Sequence, residues 1–441
     1  MEQRPRATQQ DSELSIGSQD SSNHPITQSP NRSMAQSPDH PITKSLNGGS
    51  MNYMVIANLF LLLFLGVADN QMIAALLPVF VRSLGISVSL AGLLVVVYSV
   101  AAGVAAFASG ALSDHYGRRG FLLLGVAGFA VASFVASRTH TYAALMSARA
   151  LTGLAAGTIS TCSIAYAGDC FAYAVRGRAI GLISSAYFVA PIIGVPLAGQ
   201  IADRFGWRGV FVAFAALAVV VTLASLALPR DSLLPPDAPH RPRASLQRFG
   251  SFLRQKDLAA ALLIAYLVSG GLVGFITYIG QWLSDHFHVG TGSITWVFAL
   301  GGFASVIGAP LGGFLADRWG KRNVSIASNV LLALAVAMIP FQRWGLPLMI
   351  VFSATGLGAG LRQGPLTALM TELVPGNQRG SFIAIRNVSS QLGIGTVAFA
   401  GGLLYQHQGY LAVTTLCAAM AALVAVLLTT HIVEPREHGR W

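Results

Sequence analysis

The chain is 441 residues long, 54% hydrophobic and only 10% charged, with a mean hydropathy of +0.61. Too few polar side chains remain to clothe a water-soluble body of that size, so a soluble globular domain is excluded. The formal charge of +11 is scattered over short loops and not gathered in one patch, which sets nucleic-acid binding aside and fits attraction to an anionic leaflet. The composition points to an all-α polytopic protein whose solvent is the lipid bilayer.

Residues 1–50 are rich in Ser, Gln, Asn and Pro and hold a small duplication, His24-Pro-Ile-Thr-Gln-Ser and His40-Pro-Ile-Thr-Lys-Ser. Nothing there can bury a core, so a disordered tail is expected, and the segment does not follow the pattern of a secretory signal. Gly48-Gly49-Ser50 ahead of Met51 raises the expectation that translation starts at Met51.

Twelve apolar runs follow, at about 53–77, 88–112, 119–137, 142–166, 178–202, 207–228, 258–283, 292–316, 323–341, 346–371, 380–404 and 409–432. Each suits a spanning helix of roughly 20 residues. The longest break, 229–257, carries Pro235-Pro236, Pro239 and six basic residues, and reads as a linker between a first bundle (51–228) and a second (258–432), with a short tail at 433–441. Of the 28 Lys and Arg, 20 fall on the side of the two ends and 5 on the other, so both termini are expected in the cytoplasm.

Between the second and third runs stands Gly110-Ala-Leu-Ser-Asp114-His-Tyr-Gly117-Arg118-Arg119. Its chemistry returns between the eighth and ninth as Gly313-Phe-Leu-Ala-Asp317-Arg-Trp-Gly320-Lys321-Arg322, 203 residues later (313 − 110). At the same offset Gly153 and Gly157 fall on Gly356 and Gly360, Asp169 on Glu372, Arg176-Gly177 on Arg379-Gly380, and Gly199 and Gly206 on Gly402 and Gly409. The chain is therefore a duplication, and paired repeats predict two pseudo-symmetric six-helix bundles. Gly110 and Gly313 are expected where one helix end nears another, and Gly117 and Gly320 where a short turn needs positive φ.

The loop pattern G-x-L-a-D-x-x-G-R-R/K, present twice, resembles the signature loop of the major facilitator superfamily. Arg149-x-x-x-Gly153-x-x-x-Gly157 is similar to a second signature of that family's drug:proton antiporter branch. Ala190-Pro-Ile-Ile-Gly194-Val-Pro196-Leu-Ala-Gly199 resembles the branch's helix-packing motif in span five, with Ala190 and Ala198 where glycine is usual and the proline one place late. Asp69 ahead of Pro78 looks like the family's first-span pattern of an acid before a terminal proline. The resemblance implies the family's twelve-helix fold and a central cavity lined by spans 1, 4, 7 and 10. It also implies that Asp114 faces the N-terminus of span eleven near Gly380-Ser381, where a helix dipole favours an anion.

Arg118 can pair with Asp169, and Lys321 with Glu372. Two pseudo-symmetric triads result, Asp114-Arg118-Asp169 and Asp317-Lys321-Glu372, read with Arg119 and Arg322 as a cytoplasmic gate. A site for an asymmetric molecule should lie where the duplication breaks: Asp69 falls on Leu272, Arg149 on Phe352, Arg362 on Ile159 and Arg386 on Ile183. Each such charge costs on the order of 3 kcal/mol at the bilayer centre, so partners or a watery cavity are expected. Asn70, Gln71, Gln363, Tyr278, Gln281 and Trp282 join these four as candidates for the proton-coupling and substrate cavity. A carboxyl group titrates near pH 3.9 in water, burial favours its neutral form and a neighbouring guanidinium its charged form, so contact between Asp69 and Arg149 is the point to check.

His286 and His288 are read as solvated, and Cys162, Cys170 and Cys417 as core residues, with no metal-ligand spacing among them. No cofactor is expected. Phosphate-binding glycine loops and His-Glu metal spacings are missing from the sequence, which argues against an enzyme or an ATP-driven pump. The expectation is a monomeric secondary transporter that moves a small molecule by alternating access, with protons as the coupling partner and efflux of a drug or metabolite as the direction. Uptake of an organic anion or zwitterion, and a receptor on the same fold, stay open.

Overall fold

The computed structural model describes residues 52–229, 254–374 and 379–432. The expectations for residues 1–50, for most of the linker and for 433–441 lie outside the described residues, as do the side chains of Asp114 and Ser381. Every regular element among the described residues is helical. In chain order they are α1 (Tyr53–Leu84), α2 (Val88–Tyr116), α3 (Arg118–Arg138), α4 (Tyr142–Cys170), a composite α5, and α6 (207–225). The second half holds α7 (Lys256–Phe287), α8 (Thr291–Trp319), α9 (Lys321–Met338), α10 (Leu346–Glu372), α11 (Arg379–Gln408) and α12 (Tyr410–Thr430).

Ten stretches among the described residues are long and apolar enough to cross a membrane, and the count reaches twelve for two reasons. Val175–Ser225, 51 residues, would be about 75 Å long as one helix, against a hydrocarbon core of about 30 Å. Gly206, at φ 71° and ψ 171°, breaks it into α5 and α6. The other is α10, long enough at 27 residues but carrying Arg362 and Gln363 near its centre. The twelve helices form the two pseudo-symmetric six-helix bundles of the expected architecture. Both described ends and the α2–α3 and α8–α9 loops share one face, the terminal face; the α1–α2, α5–α6, α7–α8 and α11–α12 turns lie on the far face.

Local chemistry sets the ends of the helices. Asn52, Ser87 and Thr141 cap α1, α2 and α4 with side-chain oxygens that accept free backbone N–H groups. Pro78 does not end its helix: α1 continues to Leu84 and stops at Gly85 in the left-handed region. A proline inside a helix frees the carbonyl four residues back, here that of Ala74, and bare Gly280 of α7 comes up against that oxygen. The proline thus marks a contact between the bundles.

Helix approach repeats with the duplication. A side chain on Gly153 or Gly157 would collide with the α2 backbone at Tyr98 or Ala102, and one on Gly356 or Gly360 with the α8 backbone at Gly301 or Ser305, each partner 203 residues from its counterpart. Gly110 and Gly313 are not such positions: a Cβ at Gly110 would make an ordinary 3.6 Å contact with Thr161, and one at Gly313 would meet nothing within 4 Å. Each bundle has its own apolar core, but Ala74, Ala75 and Leu77 of α1, Ala91 of α2 and Val195 of α5 pack into the second bundle's core. α1 packs on α7, α2 on α11 and α5 on α8 to join the halves.

Candidate functional site

α1 carries Asp69 and α4 carries Arg149 into the first bundle. There Nη1 of Arg149 donates to Oδ2 of Asp69 at 2.6 Å, and both side chains are 0% exposed. α2 seals the pair, because the close approach at Gly153 brings the Tyr98 ring to 4.4 Å from the guanidinium carbon, and the Tyr98 hydroxyl donates to the Gly66 carbonyl at 2.8 Å. Three polar atoms of the pair have no partner among the described residues: Oδ1 of Asp69 and Nε and Nη2 of Arg149. Oδ1 of the neighbouring Asn70 is also unpaired, and Gln71 is half-buried. Burying two charges with three of their five polar atoms unpaired is expensive, so the pair is held by its surroundings and has capacity left for a proton, a water or a polar ligand.

The second bundle has a different polar centre. Arg362 of α10, 2% exposed, donates through Nη1 to Oδ1 of Asn329 on α9 at 2.8 Å and through Nη2 to the Val268 carbonyl of α7 at 3.3 Å. Asn329 in turn donates to the Ser325 carbonyl. This arrangement ties three helices of one bundle together, and no carboxylate among the described residues pairs with Arg362. Gln363, next in sequence, is exposed. Arg386 of α11 is half-buried, with an unpaired Nε, and lies within electrostatic reach of Tyr187 on α5, which interacts in the same way with Tyr98. Tyr187 and Asn329 went unnoticed in the sequence because neither is charged and nothing in their spacing shows which helix they face.

Three further candidates serve the packing of α7. The Tyr278 hydroxyl donates to the Ala398 carbonyl, and Trp282 stacks on Tyr410 (5.1 Å between centroids) and on His286 (5.6 Å). Gln281 donates to Asp285 at 2.8 Å, and the Tyr405 hydroxyl donates to the other Asp285 oxygen at 2.8 Å, while Gln281 Oε1 is buried and unpaired. These residues form an aromatic layer towards the far face. His286 is exposed and also part of that layer.

On the terminal face the two duplicated loops make matching contacts. Gly117 and Gly320 have φ of 94° and 85°, the region that glycine enters most readily. Arg118 pairs with Asp169 at 2.7 Å and Lys321 with Glu372 at 2.5 Å, each pair within its own half. Asp317 is exposed and stands outside the Lys321–Glu372 pair. Arg119 Nη2 donates to the Leu226 carbonyl, and Arg322 donates from Nε to Leu428 and from Nη2 to Thr429. Leu226 and Thr429 are again 203 apart, so these two arginines cap the last helix of each bundle, where free carbonyls favour a cation.

Span five is the irregular element. α5 consists of Tyr173–Ser184, Ala186–Val189, a π-helical turn at Ala190–Gly194 and residues 195–205. Pro191 and Pro196 each remove a backbone donor, and the wider turn accommodates the loss. A side chain at Gly194 would meet Phe64 and Ala68 of α1, one residue before Asp69, and one at Gly199 would collide with Thr295 of α8. Pro196 is buried between them.

A family profile described as Major Facilitator Superfamily matches residues 59–284 and 262–440. The chain is similar to an uncharacterized MFS-type transporter, YwfA, of Bacillus subtilis, at 29% identity over 372 residues, covering 82% of this chain and 88% of that one. It is 25% identical over 380 residues to a chloramphenicol efflux pump of Mycobacterium tuberculosis, covering 84% and 91%. The crystal structure of a D-xylose-proton symporter superposes with a TM-score of 0.72 at 17% identity, over 87% of this chain and 99% of that one, a likeness of fold alone.

Proposed function

The chain belongs to the Major Facilitator Superfamily, and from that premise we propose that it exports a small drug-like molecule or metabolite in exchange for protons. That it is a multi-pass membrane transporter of small molecules follows from the family. The buried Asp69–Arg149 pair carries the finer reading. An unpaired carboxyl in an apolar bundle holds a proton, and one beside a guanidinium releases it. A cycle that separates and rejoins the pair therefore moves a proton, and a substrate that engages the free valences of Arg149 competes for the same partner. The chloramphenicol efflux relative supports efflux as the direction.

In this reading Asp114, Arg118, Asp169, Asp317, Lys321 and Glu372 act at the terminal face as the gate, Arg119 and Arg322 fix the helix ends behind it, and the termini lie in the cytoplasm. The boundaries are a bundle of residues 51–228 and one of 258–432. A second reading, export or uptake of an organic anion, rests on Arg362 and Arg386, neither paired with a carboxylate among the described residues.

The test is uptake of a substrate, found by a thermal-shift ligand screen on the purified protein, into everted vesicles with and without a pH gradient. Asp69→Asn is expected to abolish gradient-driven transport and keep part of the gradient-independent exchange. Full gradient-driven transport by that variant would remove Asp69 from the coupling step.

A further inference from the structure

The terminal-face loop motif has relatives on the other side of the molecule. Gly199-Gln-Ile-Ala-Asp203-Arg-Phe-Gly206-Trp-Arg208, at the turn between α5 and α6, repeats the spacing of Gly110, Asp114, Gly117 and Arg119 at an offset of 89 residues (199 − 110). Gly402-Leu-Leu-Tyr-Gln406-His-Gln-Gly409, between α11 and α12, is its partner in the second half, with Gln406 in the place of Asp203. The backbone follows the spacing, since Gly206 and Gly409 have φ of 71° and 78°. Arg208 donates to the Thr139 carbonyl at the end of α3, as Arg119 does at the end of α6.

Both far-face turns reach across to the other bundle. Oδ2 of Asp203 lies 3.1 Å from where a Cβ on Gly292 would stand, in the first turn of α8. Oε1 of Gln406 accepts from the Ser89 hydroxyl at 2.6 Å, in the first turn of α2. Ser89 and Gly292 are equivalent positions of the duplication, as are Asp203 and Gln406. The first glycine of each turn sits against the same target helix, Gly199 on Thr295 of α8 and Gly402 on Ser89 of α2.

The two sides differ in one respect. α2 brings its own cap, Ser87, which accepts from the Leu90 N–H and touches the Ser89 hydroxyl at 3.0 Å. The equivalent residue before α8 is Gly290, which has no side chain to cap with. The helix without a cap is the one that meets a carboxylate from the other bundle, and the helix with a cap meets a neutral amide. A negative charge at a helix N-terminus is favourable, and most so where no other acceptor serves the free N–H groups.

We propose that the far face has its own latch: the Asp203 carboxylate faces the positive N-terminal end of α8 across the bundle interface, Gln406 holds Ser89 at the start of α2, and the far face opens when these contacts break. The latch is independent of proton coupling and of the substrate, so its test needs neither.

Spin labels on His140→Cys and Arg343→Cys, exposed positions on far-face turns of the two bundles, report the far-face distance by pulsed electron resonance on the full chain in lipid vesicles. Asp203→Ala is expected to raise the long-distance population about two- to fivefold, the size of one charge interaction at a helix end. Asp203→Lys, which puts a like charge at that end, should raise it further, and Asp203→Glu should restore the parent distribution. Gln406→Ala should shift it less, because Ser87 still caps α2. An unchanged distribution in Asp203→Ala, or a larger shift in Gln406→Ala than in Asp203→Ala, overturns the proposal; if the Lys variant does not insert, the Ala and Glu variants decide it.

Discussion

The four glycine-bounded turns have one backbone design and two kinds of neighbourhood. On the far face, Gly199 and Gly402 are pressed against helices of the opposite bundle, the Asp203 carboxylate stands beside the first turn of α8, and Gln406 accepts from Ser89 in the first turn of α2. On the terminal face, a Cβ at Gly110 would make an ordinary contact with a helix of its own bundle and one at Gly313 would meet nothing within 4 Å among the described residues, while Arg118 pairs with Asp169 and Lys321 with Glu372 in the same half. Among the described residues, the contacts that these turns make across the bundle interface are those of the far face.

Overpacking one face should break the comparison most strongly. Gly199→Leu forces a side chain into Thr295 at the α5–α8 contact and is expected to cost about 2–3 kcal/mol, read as a lower thermal midpoint of the purified protein and reduced far-face closure. Gly313→Leu, with open space around it, should leave the midpoint nearly where it was. Equal losses in the two variants would mean that the terminal face is as tightly packed as the far one.

The positive-φ glycines give a smaller effect and a check on shared design. Gly320→Ala and Gly206→Ala are each expected to cost about 1–2 kcal/mol, since both hold backbone in a region that L side chains disfavour. Thermal unfolding should show similar losses on the two faces, in contrast to the leucine pair. The smallest effect concerns the capping arginines. Arg322 donates to carbonyls near the end of α12 and Arg119 to the Leu226 carbonyl that follows α6, so Arg322→Ala and Arg119→Ala should each cost about 1 kcal/mol, by the same measurement.

Much of this molecule is written along the chain. Apolar runs count the spans because a bilayer demands a helix of fixed length for every crossing, and the repeat at 203 residues imposes two related bundles. Asp69, Arg149, Arg362 and Arg386 stand out for a similarly local reason: a charge in an apolar run is costly wherever the run ends up. Positive φ at Gly117 and Gly320 was legible from the shortness of their loops.

What tertiary structure decided is which of these charges meet. Nothing in their spacing says that Asp69 finds Arg149 under the ring of Tyr98 while Arg362 finds Asn329, because helices far apart in sequence bring them together. Pro78 looked like a helix end and is a point of contact with Gly280, since the freed carbonyl matters only once another helix arrives. Arg119 and Arg322, read from the sequence as gate charges, bond carbonyls at the ends of α6 and α12, contacts that need a helix end placed beside them. Composition and period depend on the solvent and on the local backbone, which the chain carries with it; partners depend on packing between distant segments, which exists only in the folded bundle.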